Sequence, residues 1–159
     1  MGRPKKKVEI IEKVAPHTIK KCELIEHYVD EWARKILGFN GMNGRDGSKG
    51  IIYIDCMSNS GLYYDSEDNL VDGTALRVAK RLNDILPKYP DKMGYVMFND
   101  ISQEKIDCLK REIDKLKLSN ITFRFNCGDG NEFIRELDIK ELQKKCGTLL
   151  LYDPYQATI

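Results

Sequence analysis

The sequence lacks the features of membrane, secreted and disulfide-rich proteins. None of its apolar runs approaches the roughly 20 residues of a membrane-spanning helix, and its N-terminus has no signal-peptide apolar stretch. The five cysteines are odd in number, widely spaced and without a CxxC pair, which argues against a disulfide framework and against a zinc site. These absences predict a cytoplasmic protein with no membrane contact and no bound metal.

A strong charge of either sign is also lacking. The formal net charge is +1 at pH 7, so contact with a nucleic acid would need a local basic patch rather than a global field. The chain has 159 residues, of which 42% are hydrophobic and 32% charged, and these values are ordinary for one soluble globular domain.

The N-terminal stretch MGRPKKK is basic and has little apolar material to bury. A tail of this kind can contact phosphates, although it is more often a solvated end. We assign residues 1–16 to a basic flexible tail and residues 17–159 to a single domain.

Short apolar runs alternate with amphipathic helical patterns along the domain. The runs predict four buried strands, at Ile51–Ile54, Tyr95–Phe98, Ile121–Phe125 and Leu149–Tyr152. An N-terminal amphipathic helix, capped by Thr18, precedes the first strand, and helical patterns follow the first three. Continuous apolar strands alternating with helices predict the α/β class, with a Rossmann-like, doubly wound parallel sheet.

Each predicted strand ends on an acid: Asp55, Asp100, Asp129 and Asp153. In a doubly wound sheet the carboxyl ends of the strands face one crevice, and ligands bind there. One acid at a strand end is commonplace, whereas four that converge predict a binding site.

The residues after the first strand are small. Ser58, Asn59, Ser60 and Gly61 follow Asp55 closely, and small residues allow backbone N–H groups to approach a ligand. A glycine-rich loop usually carries two or three glycines and this one has a single glycine, but asparagine tolerates a left-handed backbone. The alternative is a plain turn between a strand and a loop.

Two of the acids suit parts of a nucleoside. Asp100 stands where a carboxylate reaches both hydroxyls of a bound ribose, and its alternative role is to place negative charge at the start of the following helix. Asp129, which follows Gly128, can accept the amine of an adenine ring, although Asp-Gly is also a common turn.

The last strand ends in Asp153, Pro154 and Tyr155. An acid, a rigid proline and an aromatic ring can hold a flat amine, because the acid accepts its hydrogens and the ring stacks on its face. The alternative is a turn that merely ends the strand.

The chain resembles the N-terminal part of the three-Cys-motif partner proteins, a bacterial family with the class I S-adenosylmethionine-dependent methyltransferase fold. The matching features are His17-Thr18 with Trp32 in the first helix, Asp55, Gly61 and Tyr63, Gly73-Thr74, Asp100, Gly128-Asp129-x-Asn131 and Asp153-Pro154-Tyr155. It departs from the family in carrying Met57-Ser58-Asn59 where a Phe-Ala-Gly run is usual. A single proline stands before its aromatic, where amino-group methyltransferases prefer two.

The resemblance implies S-adenosylmethionine as cofactor. By this analogy Asp55, Ser58, Asn59 and Gly61 surround its methionine part, Asp100 binds its ribose, and Gly128 with Asp129 binds its adenine. Asp153, Pro154 and Tyr155 then lie beside the methyl-accepting group.

The function implied is a methyltransferase that acts on an exocyclic amine of a nucleic-acid base. The alternative is a non-catalytic protein that keeps the methyltransferase fold and assembles with a protein partner. The resemblance also implies the strand order third, second, first, fourth, which leaves the fourth strand at an edge. The chain is therefore expected to be truncated at its C-terminal end, or to be half of an obligate assembly.

Overall fold

The computed structural model describes residues 9–42, 45–138 and 146–153, with only the backbone described at residues 42, 45 and 46. In chain order the elements are β1 (Glu12–Lys13), α1 (Pro16–Gly38), β2 (Gly41–Met42), β3 (Arg45–Asp46), β4 (Gly50–Asp55), β5 (Leu62–Tyr64), β6 (Leu70–Asp72), α2 (Thr74–Ile85), β7 (Met93–Asp100), α3 (Gln103–Asp114), β8 (Ile121–Cys127), α4 (Gly130–Glu136) and β9 (Gly147–Leu151). A short 3-10 turn, Leu86–Lys88, follows α2.

The principal sheet has four parallel strands in the order β8-β7-β4-β9. Ile52 of β4 lies opposite Tyr95 of β7 on one side and opposite Thr148 of β9 on the other. This architecture confirms the α/β class and the predicted strand order, and it is compatible with a Rossmann-like fold. Every residue of β4 is buried, because β4 lies inside the sheet and has helices on both faces.

Side chains of β4 alternate between two hydrophobic cores. Ile51 and Tyr53 face the larger core, to which α1, α2 and α3 contribute, whereas Ile52 and Ile54 face a smaller core with Phe133 of α4. Burial of one such side chain contributes about 1.5–3 kcal/mol. The helices therefore lie on both faces, as a doubly wound sheet requires.

The predicted N-terminal amphipathic helix is present as α1. It begins at Pro16, whose fixed backbone angle and missing N–H suit the first helical position. Thr18 therefore lies inside the first turn and is not the cap that the sequence predicted. None of the helices in the described ranges has both the length and the apolar character needed to cross a lipid bilayer.

A smaller sheet, in the order β1-β5-β6, was missed by the sequence analysis. Glu12 and Lys13 pair in parallel with Tyr63 and Tyr64, and the preceding Ile10 packs on the larger core. The part of the expected flexible tail that the structure describes, residues 9–16, thus contributes to the folded domain. The glycine-rich segment after α1 holds the two short paired strands β2 and β3.

Candidate functional site

A cavity of about 200 Å³ lies at the carboxyl end of the sheet, between the ends of β4 and β9 and the first turns of α1. Its polar lining includes His17, Thr18, Lys21, Asp55, Tyr63, Thr74 and Asp153. Two of the four strand-end acids therefore converge on one space, together with the His-Thr pair at the start of α1. Within the described ranges, no group of three or more histidine, cysteine or acidic side chains is arranged to hold a metal.

A larger hollow of about 430 Å³ opens between α1 and α2, but most of its charges are already paired. Glu26 bonds both Arg77 and Arg81, and Lys80 lies 2.7 Å from a carboxylate oxygen of Asp72. This network fastens one helix to the other on the surface. We therefore place the candidate site at the smaller cavity, where the sheet ends.

Asp55 is the most unusual group in the cavity. Its side chain is buried, with the residue 2% exposed, and its Oδ1 accepts a hydrogen bond from Met57 N at 3.1 Å. Burial raises its pKa to about 7, the negative charges of Asp153 and Asp100 add to the rise, and the Met57 N–H opposes it. A cation placed in the cavity would favour the ionised form of Asp55.

Asp153 lies opposite Lys21, whose Nζ is 2.7 Å from each of the two carboxylate oxygens. The lysine side chain is more than half exposed, so this pair adds little to stability. It does bring one positive charge to a cavity that otherwise holds two acids. The other two residues of this predicted motif, Pro154 and Tyr155, lie outside the described residues.

The loop after β4 closes on itself. Asn59 has a φ of 59°, which agrees with the left-handed conformation that the sequence favoured, and Gly61 has a φ of 82°. Ser58, Asn59 and Ser60 are buried. Their N–H groups donate to Asn99 O, Asp100 Oδ2 and Asn59 Oδ1 respectively, at 2.8 to 2.9 Å.

The loop amides therefore bond to the protein instead of facing a ligand. Ser58, Asn59 and Gly61 do not line the cavity, whereas Met57 does. A Cβ on Gly61 would lie 2.6 Å from Leu109 Cδ1, so glycine is needed there for space as well as for its backbone angle.

Asp100 anchors this loop. Its Oδ2 accepts from Asn59 N at 2.9 Å and its Oδ1 from Ser102 N at 3.0 Å, and the residue is 6% exposed. One lone pair of Oδ2 thus holds the turn after β4, and one lone pair of Oδ1 holds the start of α3. Each oxygen keeps a second lone pair that could accept another hydrogen bond. Ser102 caps α3, because its hydroxyl accepts a bond from Lys105 N at 3.3 Å.

Asp129 and Gly128 lie away from the cavity. Asp129 is exposed and caps α4, because its Oδ1 accepts from Asn131 N at 2.9 Å and from Glu132 N at 3.1 Å. Gly128 N donates to Asp100 O at 3.0 Å. In this structure both residues hold the loop after β8 in place.

Asn99, at the end of β7, is a residue of the site that the sequence analysis did not single out. It is fully buried, its Nδ2 donates to Cys56 O at 2.9 Å and to Gly128 O at 3.1 Å, and its Oδ1 accepts from Asn126 Nδ2 at 2.7 Å. One side chain thus joins the loops after β4 and β8. The available signal was an amide residue at the end of an otherwise apolar strand.

Comparison of the sequence with models of known protein families gives no match, and a search of curated proteins finds no significantly similar relative. The functional argument therefore depends on the geometry of the site.

Proposed function

We propose that this chain is a methyltransferase-type domain that binds S-adenosylmethionine at the carboxyl end of its sheet. The observation that carries the proposal is the cavity in which the buried Asp55 meets Asp153 and Lys21. Two acids and one lysine suit a ligand that bears both an ammonium group and a carboxylate. The amino-acid part of S-adenosylmethionine has both groups.

The size of the cavity limits which part of the cofactor it would hold. About 200 Å³ is less than the roughly 300–1,000 Å³ of most small-molecule sites. We assign the cavity to the methionine part and expect the nucleoside to lie outside it, toward Asp100 and Gly128. In this arrangement a free lone pair of Asp100 would accept the ribose hydroxyls, and Asp129 would accept the adenine amine.

Methyl transfer needs little general acid-base catalysis from the protein. When bound, the cofactor supplies an electrophilic methyl group on a sulfonium, so the protein mainly has to align the acceptor. Asp55 would hold the ammonium group, and its negative charge would also stabilise the positively charged sulfonium of the cofactor. Thr18 and Lys21, on the first turns of α1, would hold the carboxylate.

We infer that the methyl acceptor is an amine, and favour the exocyclic amine of a nucleic-acid base. Asp153 would accept the amine hydrogens, while Pro154 would keep the turn rigid and Tyr155 would stack on the base. The Lys21–Asp153 pair has to separate for this contact to form. Because the lysine is exposed, that separation costs little.

A second candidate function, a non-catalytic protein that uses this fold for assembly, is favoured by a different observation. The loop N–H groups that would approach a cofactor already bond to Asn99 and Asp100. A protein that no longer binds the cofactor does not need free backbone N–H groups in this loop. The internal hydrogen bonds of the loop therefore favour the non-catalytic assembly function.

Equilibrium binding of S-adenosylmethionine separates the two functions. We expect wild-type chain to bind the cofactor and Asp55→Asn to lose at least tenfold in affinity. The matched control is Asp114→Asn, which removes an exposed carboxylate on α3, away from the cavity, and should bind as wild type does. Absence of wild-type binding at millimolar cofactor would remove the methyltransferase proposal and leave the assembly function.

A further inference from the structure

The outer side of β9 offers unpaired backbone groups. Among the described residues β9 pairs only with β4, so it forms one edge of the sheet. Leu151 O accepts from Cys56 N, which turns the polar groups of Leu151 toward β4. By strand alternation the N–H and C=O groups of Thr148, Leu150 and Tyr152 point outward. An edge of this kind is a template for pairing with another strand.

An apolar groove lies beside this edge. It has a volume of about 300 Å³ and is bordered by Leu24 and Tyr28 of α1 and by residues 149–151 of β9. Leu24 is 70% exposed and Tyr28 is 61% exposed, while Leu150 and Tyr152 at the same edge are about two-fifths exposed. Single exposed apolar side chains are common, but Leu24, Tyr28 and Leu150 border one groove. Tyr152 lies on the other face of the sheet, where its hydroxyl donates to Asn131 Oδ1 of α4.

We propose that this edge joins two copies of the chain. In the proposed dimer the two β9 strands pair in antiparallel fashion about a two-fold axis, and the two four-stranded sheets become one continuous sheet. Leu150 lies on the axis opposite Leu150 of the second copy, which places Thr148 opposite Tyr152 of the second copy. This register satisfies all the outward backbone groups from Thr148 to Tyr152.

The charges on α1 select a second copy rather than a strand of another sequence. Because α1 residues 24–29 border the groove at the level of Leu149–Leu151, the axis brings Leu24 beside Tyr28 of the second copy. One turn farther along each helix, Lys20 then approaches Glu31 of the second copy. Both side chains are exposed and carry opposite charges, so the surface is complementary to itself. Within its own helix Glu31 also lies 3.3 Å from His27 Nε2, a contact with an exposed imidazole that leaves the carboxylate accessible.

Sedimentation equilibrium of the full chain at tens of micromolar tests the proposal. We expect a dimer for wild type and at least a tenfold increase in the dissociation constant for Leu24→Lys. Leu118→Lys is the matched control, since Leu118 is an exposed leucine outside α1 and β9 and should leave the dimer unchanged. A wild-type monomer, a series of larger assemblies, or a dimer that Leu24→Lys does not weaken would each overturn the proposal.

Charge reversal tests the two-fold symmetry itself. Lys20→Glu and Glu31→Lys each place like charges across the axis and should weaken the dimer roughly threefold to tenfold, since exposed pairs interact weakly. The double variant restores opposite charges and should regain the wild-type dissociation constant. An equimolar mixture of the two single variants should form heterodimers in preference to either homodimer. Failure of both the double variant and the mixture to recover affinity would show that α1 does not meet its copy in this way.

Discussion

The two halves of the carboxyl end of the sheet differ in what their acids do. On the side of β7 and β8, Asp100 and Asp129 accept backbone N–H groups of the loops and helices that follow them. On the side of β9, Asp55 and Asp153 line a cavity together with Lys21. All four residues follow an apolar strand, so the sequence pattern alone treats them alike.

The difference lies in what comes next along the chain. A helix begins three residues after Asp100 and directly after Asp129, and the free N–H groups at a helix start attract a carboxylate. No helix begins in the loop after Asp55, and the residue after Asp153 is a proline, which has no N–H to offer. A strand-end acid is therefore available to a ligand where the chain starts no helix within the next three residues.

Asn99→Leu should have the largest effect, because it removes the donor shared by the two loops. Cys56 O and Gly128 O would lose their hydrogen bonds in a buried place, at a cost of about 3–5 kcal/mol in the free energy of unfolding. Urea denaturation measures this cost. Asn83→Leu, at a half-buried site with one exposed bond to Lys117 O, is the control and should change stability far less. Equal losses of unfolding free energy in the two variants would show that Asn99 does not hold the two loops together.

Gly61→Ala should be the next most damaging change. The new methyl group would meet Leu109 Cδ1 at 2.6 Å, and alanine disfavours a φ of 82°, so we expect a loss of about 2–3 kcal/mol. Gly128→Ala is the control, since a Cβ there meets nothing closer than 3.6 Å. Thermal and urea unfolding would separate the two variants, and a Gly61→Ala protein as stable as Gly128→Ala would contradict the tight closure of the loop.

Replacement of an acid by its amide should change the free energy of unfolding in opposite directions in the two halves. The pKa of Asp55 is about 7 in the folded chain against 3.8 for an ordinary aspartate, so this carboxyl contributes most to stability below pH 4. That contribution is lost as pH rises from about 4 to about 7. Asp55→Asn should therefore stabilise the chain at pH 8, on the order of 2 kcal/mol, and change little at pH 4.

Asp100→Asn should instead destabilise the chain at pH 8 by about 1–2 kcal/mol, because its carboxylate accepts two backbone N–H groups. Urea midpoints of both variants across pH 4 to 8 test the pair. The same sign for both substitutions at pH 8 would show that the two halves do not differ in the way described.

Lys21→Met should have the smallest effect on stability. Its pair with Asp153 is exposed, so the free energy of unfolding should change by less than about 0.5 kcal/mol. If the cavity binds the carboxylate of a ligand, the same variant should lose several-fold in affinity. A stability loss above about 1 kcal/mol in urea denaturation would mean that the pair holds α1 to the sheet.

The principal sheet could be predicted from the sequence because its strands are continuous apolar runs bounded by acids and turn residues. Glu12 and Lys13 could not be assigned to a strand, since a two-residue strand has no periodicity and only its pairing with Tyr63 and Tyr64 defines it. The left-handed Asn59 was predictable from its residue type.

The division of the site was not predictable from the sequence. Whether Asp100 faces a ligand or a backbone N–H depends on where Asn59 lies in space, 41 residues away in the chain. The ion pair between Lys21 and Asp153 spans 132 residues and follows from the packing of α1 beside β9. The sequence pattern identified the carboxyl edge of the sheet, but only the tertiary structure determines which acids remain available there.

The most direct test of the central claim is the pH dependence of S-adenosylmethionine binding, measured by calorimetry at pH 6 and at pH 8. Asp55 has a pKa of about 7, and a bound cation favours its ionised form, so wild type should bind up to about tenfold more tightly at pH 8. Asp55→Asn should bind weakly at both pH values and lose this difference. Wild-type binding that is undetectable at millimolar cofactor, or whose pH dependence survives in Asp55→Asn, would contradict the assignment of this cavity to the cofactor.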